Sequence, residues 1–288
     1  MIQGATPFTY AGVSADDFDL MLYYLSDPGT FEEPLYTVDV IEERLENSHS
    51  PIYLGVTDNS SALTREIIFG STEYLDRETV DEIAQWLSPG NGYQKLVIEQ
   101  DDLEDYYYLC IFQDLQMVSI NGLPVAFRAT LVFYDQFAHE EPTITAYYVQ
   151  DGQVVTTSGE LKSEVVITNE SSLHDYMWPK LTLTIPSSCT EFSIINHADK
   201  GGTRPFTFNN LSEVATTDGG DLKIVINNKT KVISSPNCGN MRQLYKSFGD
   251  HNTGYCYFFR LLQGDNKLSF VGSAMVEIEL EVLRKVAM

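Results

Sequence analysis

Positive charge is scarce in this chain. Its 288 residues contain 18 Lys and Arg against 41 Asp and Glu, a formal net charge of -23. Clustered Lys and Arg are what displace counterions from nucleic acid, so their scarcity argues against direct DNA binding. Cysteine is scarce too. Cys110, Cys189, Cys238 and Cys256 are scattered and form no CxxC pair, which points to structural thiols in a reducing compartment. No apolar run approaches the ~20 residues of a membrane helix. The opening MIQGATPFTYAGVS lacks the basic start and apolar core of a signal peptide. The expectation is a soluble protein made in a cytoplasm, without membrane insertion.

Catalytic motifs are missing as well. There is no GxSxG, GxGxxG, P-loop or HExxH. His49, His139, His174, His197 and His251 stand at no ligand spacing from one another. His251 and Cys256 lie five apart across Gly254, which suits a surface His and a buried Cys better than zinc. The run Asp101–Asp105 lacks the spaced ligands and following Gly of a calcium loop. Gly201-Gly202, between Lys200 and Arg204, precedes a strand and not a helix, so it is a weak anion cradle. Asn59, Asn169 and Asn228 match the glycosylation sequon by chance. No enzyme, cofactor or metal is expected.

What is present is a sizeable core and an uneven charge. Hydrophobic residues make up 43% of the chain, enough for one large domain or two medium ones. Residues 1–142 hold 26 acidic and 5 basic residues, a net -21; residues 143–288 hold 15 and 13, a net -2. Such asymmetry suggests two domains with different surroundings.

The first half reads as strands with one helix. A strand, a turn at Ala15–Asp17 and a second strand open it. Residues 26–62 read as an extended arm with short strands such as Tyr36–Ile41 and Ile52–Val56. Asp76 is a good N-cap with Thr79 at N3. Val80, Ile83, Ala84 and Leu87 form the apolar stripe of a helix stopped by Pro89-Gly90, and Trp86 beside it packs into the core. Asn121-Gly122 between two β-rich runs marks a hairpin. Residues 136–160, punctuated by Pro142, Asp151-Gly152 and Ser158-Gly159, read as a joint. Beyond it come strands only, including YCYFFRLL at 255–262, with turn signals every 8–14 residues, the signature of a β-sandwich. The final strand, Met275–Val286, pairs with either domain. The fold class is mainly β: an α+β domain over residues 1–140, then a β-sandwich over 141–288.

At this point the residues carry a resemblance. FTYAGVSADDFDL (residues 8–20) resembles the start of the siphophage distal tail proteins, roughly F.F.G..S.DFGL. REIIFG (65–70) resembles that family's Arg-led strand. Residues 80–112 resemble its helix with a Trp-Leu ending, a strand, an acidic turn and a Tyr-rich strand. VAFRATLVFYDQFA (125–138) resembles the closing strand of its first domain. In the second half EVVITNE (164–170), residues 178–197 and residues 260–283 resemble its galectin-like domain, best in the L..G.N.L.F.G stretch from Leu261 to Gly272. One departure is Asp19, where the family carries Gly.

The resemblance implies a structural virion protein at the tail tip, forming a homohexameric ring between tail tube and adsorption apparatus, with the galectin-like domain projecting outward. Its neighbours would be the tail tube protein, the tape-measure protein, a tail-tip hub or tail-associated lysin, and receptor-binding or baseplate proteins. DNA would pass through the ring without specific binding. The turn Asp101, Asp102, Glu104 and Asp105 is then a candidate lumen-facing element. An alternative is a carbohydrate-binding module, with His174, Tyr176 and Trp178 as its sugar platform. A tail-associated hydrolase is disfavoured by the missing catalytic motifs.

Overall fold

The computed structural model describes residues 5–23, 38–43, 50–58, 64–88, 90, 92–173, 176–249 and 255–285. The chain divides into two compact units: Met1–Glu141 with Leu283–Met288, and Pro142–Val282.

The first unit holds β1 (Phe8–Tyr10), β2 (Val13–Ser14), β3 (Met21–Tyr23), β4 (Val38–Glu43), β5 (Ile52–Asp58), β6 (Thr64–Gly70), α1 (Arg77–Leu87), β7 (Gln94–Ile98), β8 (Tyr106–Ile120), β9 (Leu123–Phe133) and β10 (Ala138–Glu140). An antiparallel sheet runs in the order β2-β1-β7-β8-β9-β6-β3, while β4 and β5 form a separate ribbon. Alternation at period two builds the core face: Phe8 and Tyr10, Leu96 and Ile98, Cys110 and Phe112, Ile67 and Phe69, and Phe127, Ala129, Leu131 and Phe133 are all buried. Burial pushes the Cys110 thiol well above its ordinary pKa, which suits a structural role.

Helix α1 covers this face. Asp76 caps it, its carboxylate accepting the Thr79 N–H at 2.8 Å. Ile83 and Leu87 are buried, but Ala84 is exposed. The inward stripe therefore runs Val80, Ile83, Trp86, Leu87 instead of through Ala84. Trp86 stacks on Phe8 at 5.9 Å and Phe18 at 5.3 Å, and its Nε1 donates to the Tyr10 carbonyl at 3.0 Å. Each such aromatic pair adds about 0.5–1.5 kcal/mol beyond its buried area.

The expected turn at Ala15–Asp17 is a 3-10 helix, Ala15–Phe18, ended by Asp19 in the left-handed region at φ 52°. That conformation suits Gly and, among other residues, Asp or Asn. The departure at Asp19 thus keeps the backbone geometry that a Gly there would allow.

The second unit comprises β11 (Thr143–Gln150), β12 (Gln153–Val155), β13 (Leu161–Lys162), β14 (Val165–Asn169), β15 (Lys180–Ile185), β16 (Phe192–Asn196), β17 (Phe206–Phe208), β18 (Leu222–Asn227), β19 (Val232–Ser234), α2 (Met241–Ser247), β20 (Gly264–Val271) and β21 (Ala274–Leu280). One sheet runs β13-β12-β11-β21-β15-β18-β19, the other β14-β20-β16-β17. Leu183, Ile224 and Val276 of the first share one apolar cluster with Phe192, Phe206 and Leu268 of the second, so the unit is a two-sheet sandwich.

Four expectations are corrected. The segment read as a joint contains the hairpin β11–β12, with Asp151-Gly152 at φ 48° and 79° as its tight turn. The second unit does contain a helix, α2. Only Leu244 and Ser247 of its seven residues are buried, too short a stripe to show a period, and a helix this short depends on tertiary packing. Tyr255–Leu262 is not a ladder strand; it is tied by a Met177–Leu261 bridge and by the Asn228 side chain accepting the Phe259 N–H. The final strand is split. β21 pairs with β11 and β15 in the second unit, and β22 (Leu283–Arg284) pairs with β10 in the first.

Two measurements check these local arguments. Asp19→Val is expected to cost about 1–2 kcal/mol in denaturant unfolding, whereas Asp19→Gly stays within about 0.5 kcal/mol. Asp76 has its pKa lowered, first by the Thr79 backbone hydrogen bond. Its stabilisation is therefore present above the ordinary carboxylate pKa and is lost as pH falls through the lowered folded value. The Tm gap between wild type and Asp76→Ala should be full at neutral pH and shrink below about pH 3.8.

Candidate functional site

The acidic turn joins β7 to β8. Leu103, 1% exposed, plugs it into the core. The Leu103 and Glu104 N–H groups both donate to the Gln100 carbonyl at 2.7 and 2.8 Å, and the Tyr106 N–H donates to Leu103 at 3.0 Å. Gln100 Nε2 donates to the Asp102 carboxylate. With Leu103 turned inward, Asp101, Asp102, Glu104 and Asp105 all point to solvent. No Lys or Arg pairs with any of the four among the described residues. The arrangement concentrates negative charge on a fixed backbone, which repels phosphate within a Debye length of ~8 Å.

The aromatic candidates behave differently. His174 lies outside the described residues. Tyr176 and Trp178 are half-buried and meet edge to face at 6.3 Å. One face of Tyr176 is taken by the Arg260 guanidinium, 3.5 Å from the ring centroid. Arg260 is 8% exposed and donates to Asp199 through Nε and Nη2, both at 2.9 Å. Arg204 reaches the same carboxylate at 3.9 Å and stacks on Tyr257 at 4.7 Å. Arg204, suggested by the sequence as part of an anion cradle, is thus turned onto Asp199. Arg260 was not foreseen at all. Its only signal is an isolated Arg within an apolar run, FFRLL.

Other singled-out residues have structural roles. Asn266 is fully buried. Its Nδ2 donates to the Leu262 and Gly264 carbonyls, and its Oδ1 accepts from Leu262 N and Asn196 Nδ2. At Gly272 a Cβ would stand 2.1 Å from the Glu191 carbonyl oxygen. Those two constraints account for the Gly and Asn spacing of the L..G.N.L.F.G stretch. The sequons at Asn169 and Asn228 have buried side chains; Asn59 and His251 lie outside the described residues. Among the described residues no group of three His, Cys, Asp or Glu side chains is placed to hold a metal.

With the geometry in place, the comparisons give a class. Residues 3–132 match the family model of the phage tail protein N-terminal domain, so the first unit is similar to a phage tail domain. The whole chain is similar in fold to the crystal structure of the SPP1 Dit protein, described as a paradigm of the hub adsorption apparatus in phages infecting Gram-positive hosts. That likeness has a TM-score of 0.62 at 8% identity, over 96% of this chain and 98% of that one. The resemblance to siphophage distal tail proteins is thereby borne out at the level of fold. The phage P2 baseplate in its activated conformation with Ca also matches, at TM-score 0.48 and 12% identity over 98% of each chain. No curated protein matches the chain by sequence.

The buried pair gives a testable consequence. Asp199→Ala removes the carboxylate that accepts two hydrogen bonds from the buried Arg260 and is expected to cost about 3–5 kcal/mol. Replacing Asp199 and Arg260 together by Leu and Met should recover most of that loss. Denaturant unfolding of the three proteins measures both steps; equal stability of all three would show the pair to be inert.

Proposed function

We propose that the chain is a distal tail protein that works as a structural part of the virion. Six copies of the first unit form a ring joining the tail tube to the tail tip and the host-adsorption apparatus. The ring would meet the tail tube protein and tape-measure protein on one side, and a tail-tip hub or tail-associated lysin on the other. The second unit would face outward, toward receptor-binding or baseplate proteins. The observation that carries this reading is the coverage of the fold likeness. Both units, in order, follow one distal tail protein from end to end, and the first matches a phage tail domain independently.

Within that reading the acidic first half lines the DNA path. Residues 1–142 carry -21, and the exposed turn Asp101–Asp105 offers four carboxylates that no Lys or Arg pairs with among the described residues. Six copies would place such turns around one channel, where they keep genomic phosphate from adhering. A carbohydrate-binding role would instead rest on Tyr176 and Trp178. The Arg260 guanidinium over Tyr176 leaves less open ring face for a sugar, and titration with host wall polysaccharide separates the two readings.

Mass photometry of the full chain is expected to show six copies of the 32.4 kDa subunit, with a ring by negative stain. Single subunits at every salt concentration, with no ring in the virion, would overturn the reading. Reversing Asp101, Asp102, Glu104 and Asp105 to Lys should slow genome ejection several-fold while leaving the ring intact. Loss of the ring would place the turn at a subunit contact instead.

A further inference from the structure

The Arg204 guanidinium makes no hydrogen bond among the described residues, although only 19% of its side chain is exposed. The chain reaches it through a tight left-handed turn, in which Lys200, Gly201 and Gly202 stand at φ 50°, 65° and 79°. The Gly202 N–H donates to the Asp199 carbonyl at 3.1 Å, and the Thr203 hydroxyl donates to the Lys200 carbonyl at 2.9 Å. These bonds fix the turn from which Arg204 emerges. Asp199 is already taken, because each of its carboxylate oxygens accepts a hydrogen bond from Arg260 at 2.9 Å. Arg204 Nη1 stops 3.9 Å from Asp199, beyond hydrogen-bond reach, and its Nε is buried with no hydrogen-bond partner. A guanidinium is a planar fork of donors that matches a carboxylate or a phosphate. Here no acceptor among the described residues fills it.

Two further observations point to the ligand. Residues 196–204 together with Arg260 hold one carboxylate, Asp199, against Lys200, Arg204 and Arg260. A positive locus therefore stands in a chain of net charge -23. Once Asp199 and Arg260 neutralise each other, Arg204 and Lys200 remain, which suits a single oxyanion. It does not suit nucleic acid, whose phosphates need a longer run of cations to displace their counterions. The second observation is aromatic. Arg204 lies over Tyr257, 4.7 Å from the ring centroid, and Tyr257 stacks on Tyr255 at 5.7 Å with 25° between the planes. Tyr255 is 60% exposed, so a flat ring with an apolar body lies open beside the charge. Sites for small ligands combine such rings with a few well-placed polar groups.

We propose that Arg204 and the Tyr255–Tyr257 pair bind an acidic sugar. Its carboxylate or phosphate takes the guanidinium fork, and its ring lies on Tyr255. Lys200, on the same turn, adds a second positive charge at the surface. The site uses neither Tyr176 nor Trp178. It adds a ligand to the structural role, and it stands whether or not six copies close into a ring.

The test is isothermal titration of the full chain with glucuronate, glucose 6-phosphate, inorganic phosphate and glucose. The two sugar acids are expected to bind once per chain, inorganic phosphate about tenfold more weakly, and glucose not at all. Arg204→Gln should weaken both sugar acids by about tenfold or more, because a charge-assisted fork is lost. Its Tm without ligand should not fall, since no protein hydrogen bond is removed. Tyr255→Ala, at an exposed position, should weaken the sugar acids and leave inorganic phosphate unchanged, which a misfolded chain could not do. Should Arg204→Gln fail to fold, the probe series and Tyr255→Ala decide. Glucose binding as tightly as the acids, sugar-acid affinity unchanged in Arg204→Gln, or no binding of any probe overturns the proposal. Equal affinity for inorganic phosphate and glucose 6-phosphate, unmoved by Tyr255→Ala, overturns the assignment of a sugar. Tighter binding of a single-stranded oligonucleotide than of either sugar acid overturns it in favour of nucleic acid.

Discussion

The hydrogen-bonded ladder β7-β8-β9-β6 is the element on which the first unit depends. Its apolar face gathers Leu96, Phe112, Phe127, Leu131 and Phe69 into one layer. α1 has a face to bury only because that layer exists, and Trp86 has ring partners only because β1 is held against β7. The acidic turn inherits its position from the same ladder, since it spans the β7–β8 connection and is pinned by Leu103. Backbone pairing supplies rigidity, and side-chain alternation decides which side is dry.

β8 serves two purposes along one strand. Up to Phe112 it is core. Beyond it the register slips between Gln113 and Gln116, with Asp114 at φ 54°. A bulge of this kind bends a strand and re-aims the side chains after it. The stretch that follows is the exposed, uncharged hairpin closed by Asn121-Gly122, at φ 52° and 82°.

Charge is handled differently in the two units. Among the described residues the first keeps its carboxylates out of the buried core, so excess negative charge costs little within one copy and matters when copies approach. The second unit is nearly neutral and buries charge only where it is matched, as Asp199 and Arg260 are by two hydrogen bonds. Asn196, Asn228 and Asn266 satisfy the neighbouring buried backbone groups by the same rule.

Local and periodic features were legible from the residues themselves. The Asp76 cap, the inward Trp86, the Asn121-Gly122 turn and the strand-rich pattern of the second half each follow from a few adjacent side chains, whose preferences act within a turn or a pleat. The exposure of the acidic turn was legible for the same reason. Features that depend on distant partners were not. α2 has too few inward residues to show a period. Tyr255–Leu262 has strand composition but finds its partners in Asn228 and Met177. Arg260 is 61 residues from Asp199. The hairpin β11–β12 was hidden because a tight turn and a flexible joint share Asp-Gly. The sequence alone thus determined the strand periodicity, the helix cap and the charge asymmetry, which are properties of near neighbours and of composition. Tertiary structure decided which edges stay open, which charges pair in the interior, and that the last residues return to the first unit as β22, because those outcomes depend on backbone groups far apart in the chain coming into register.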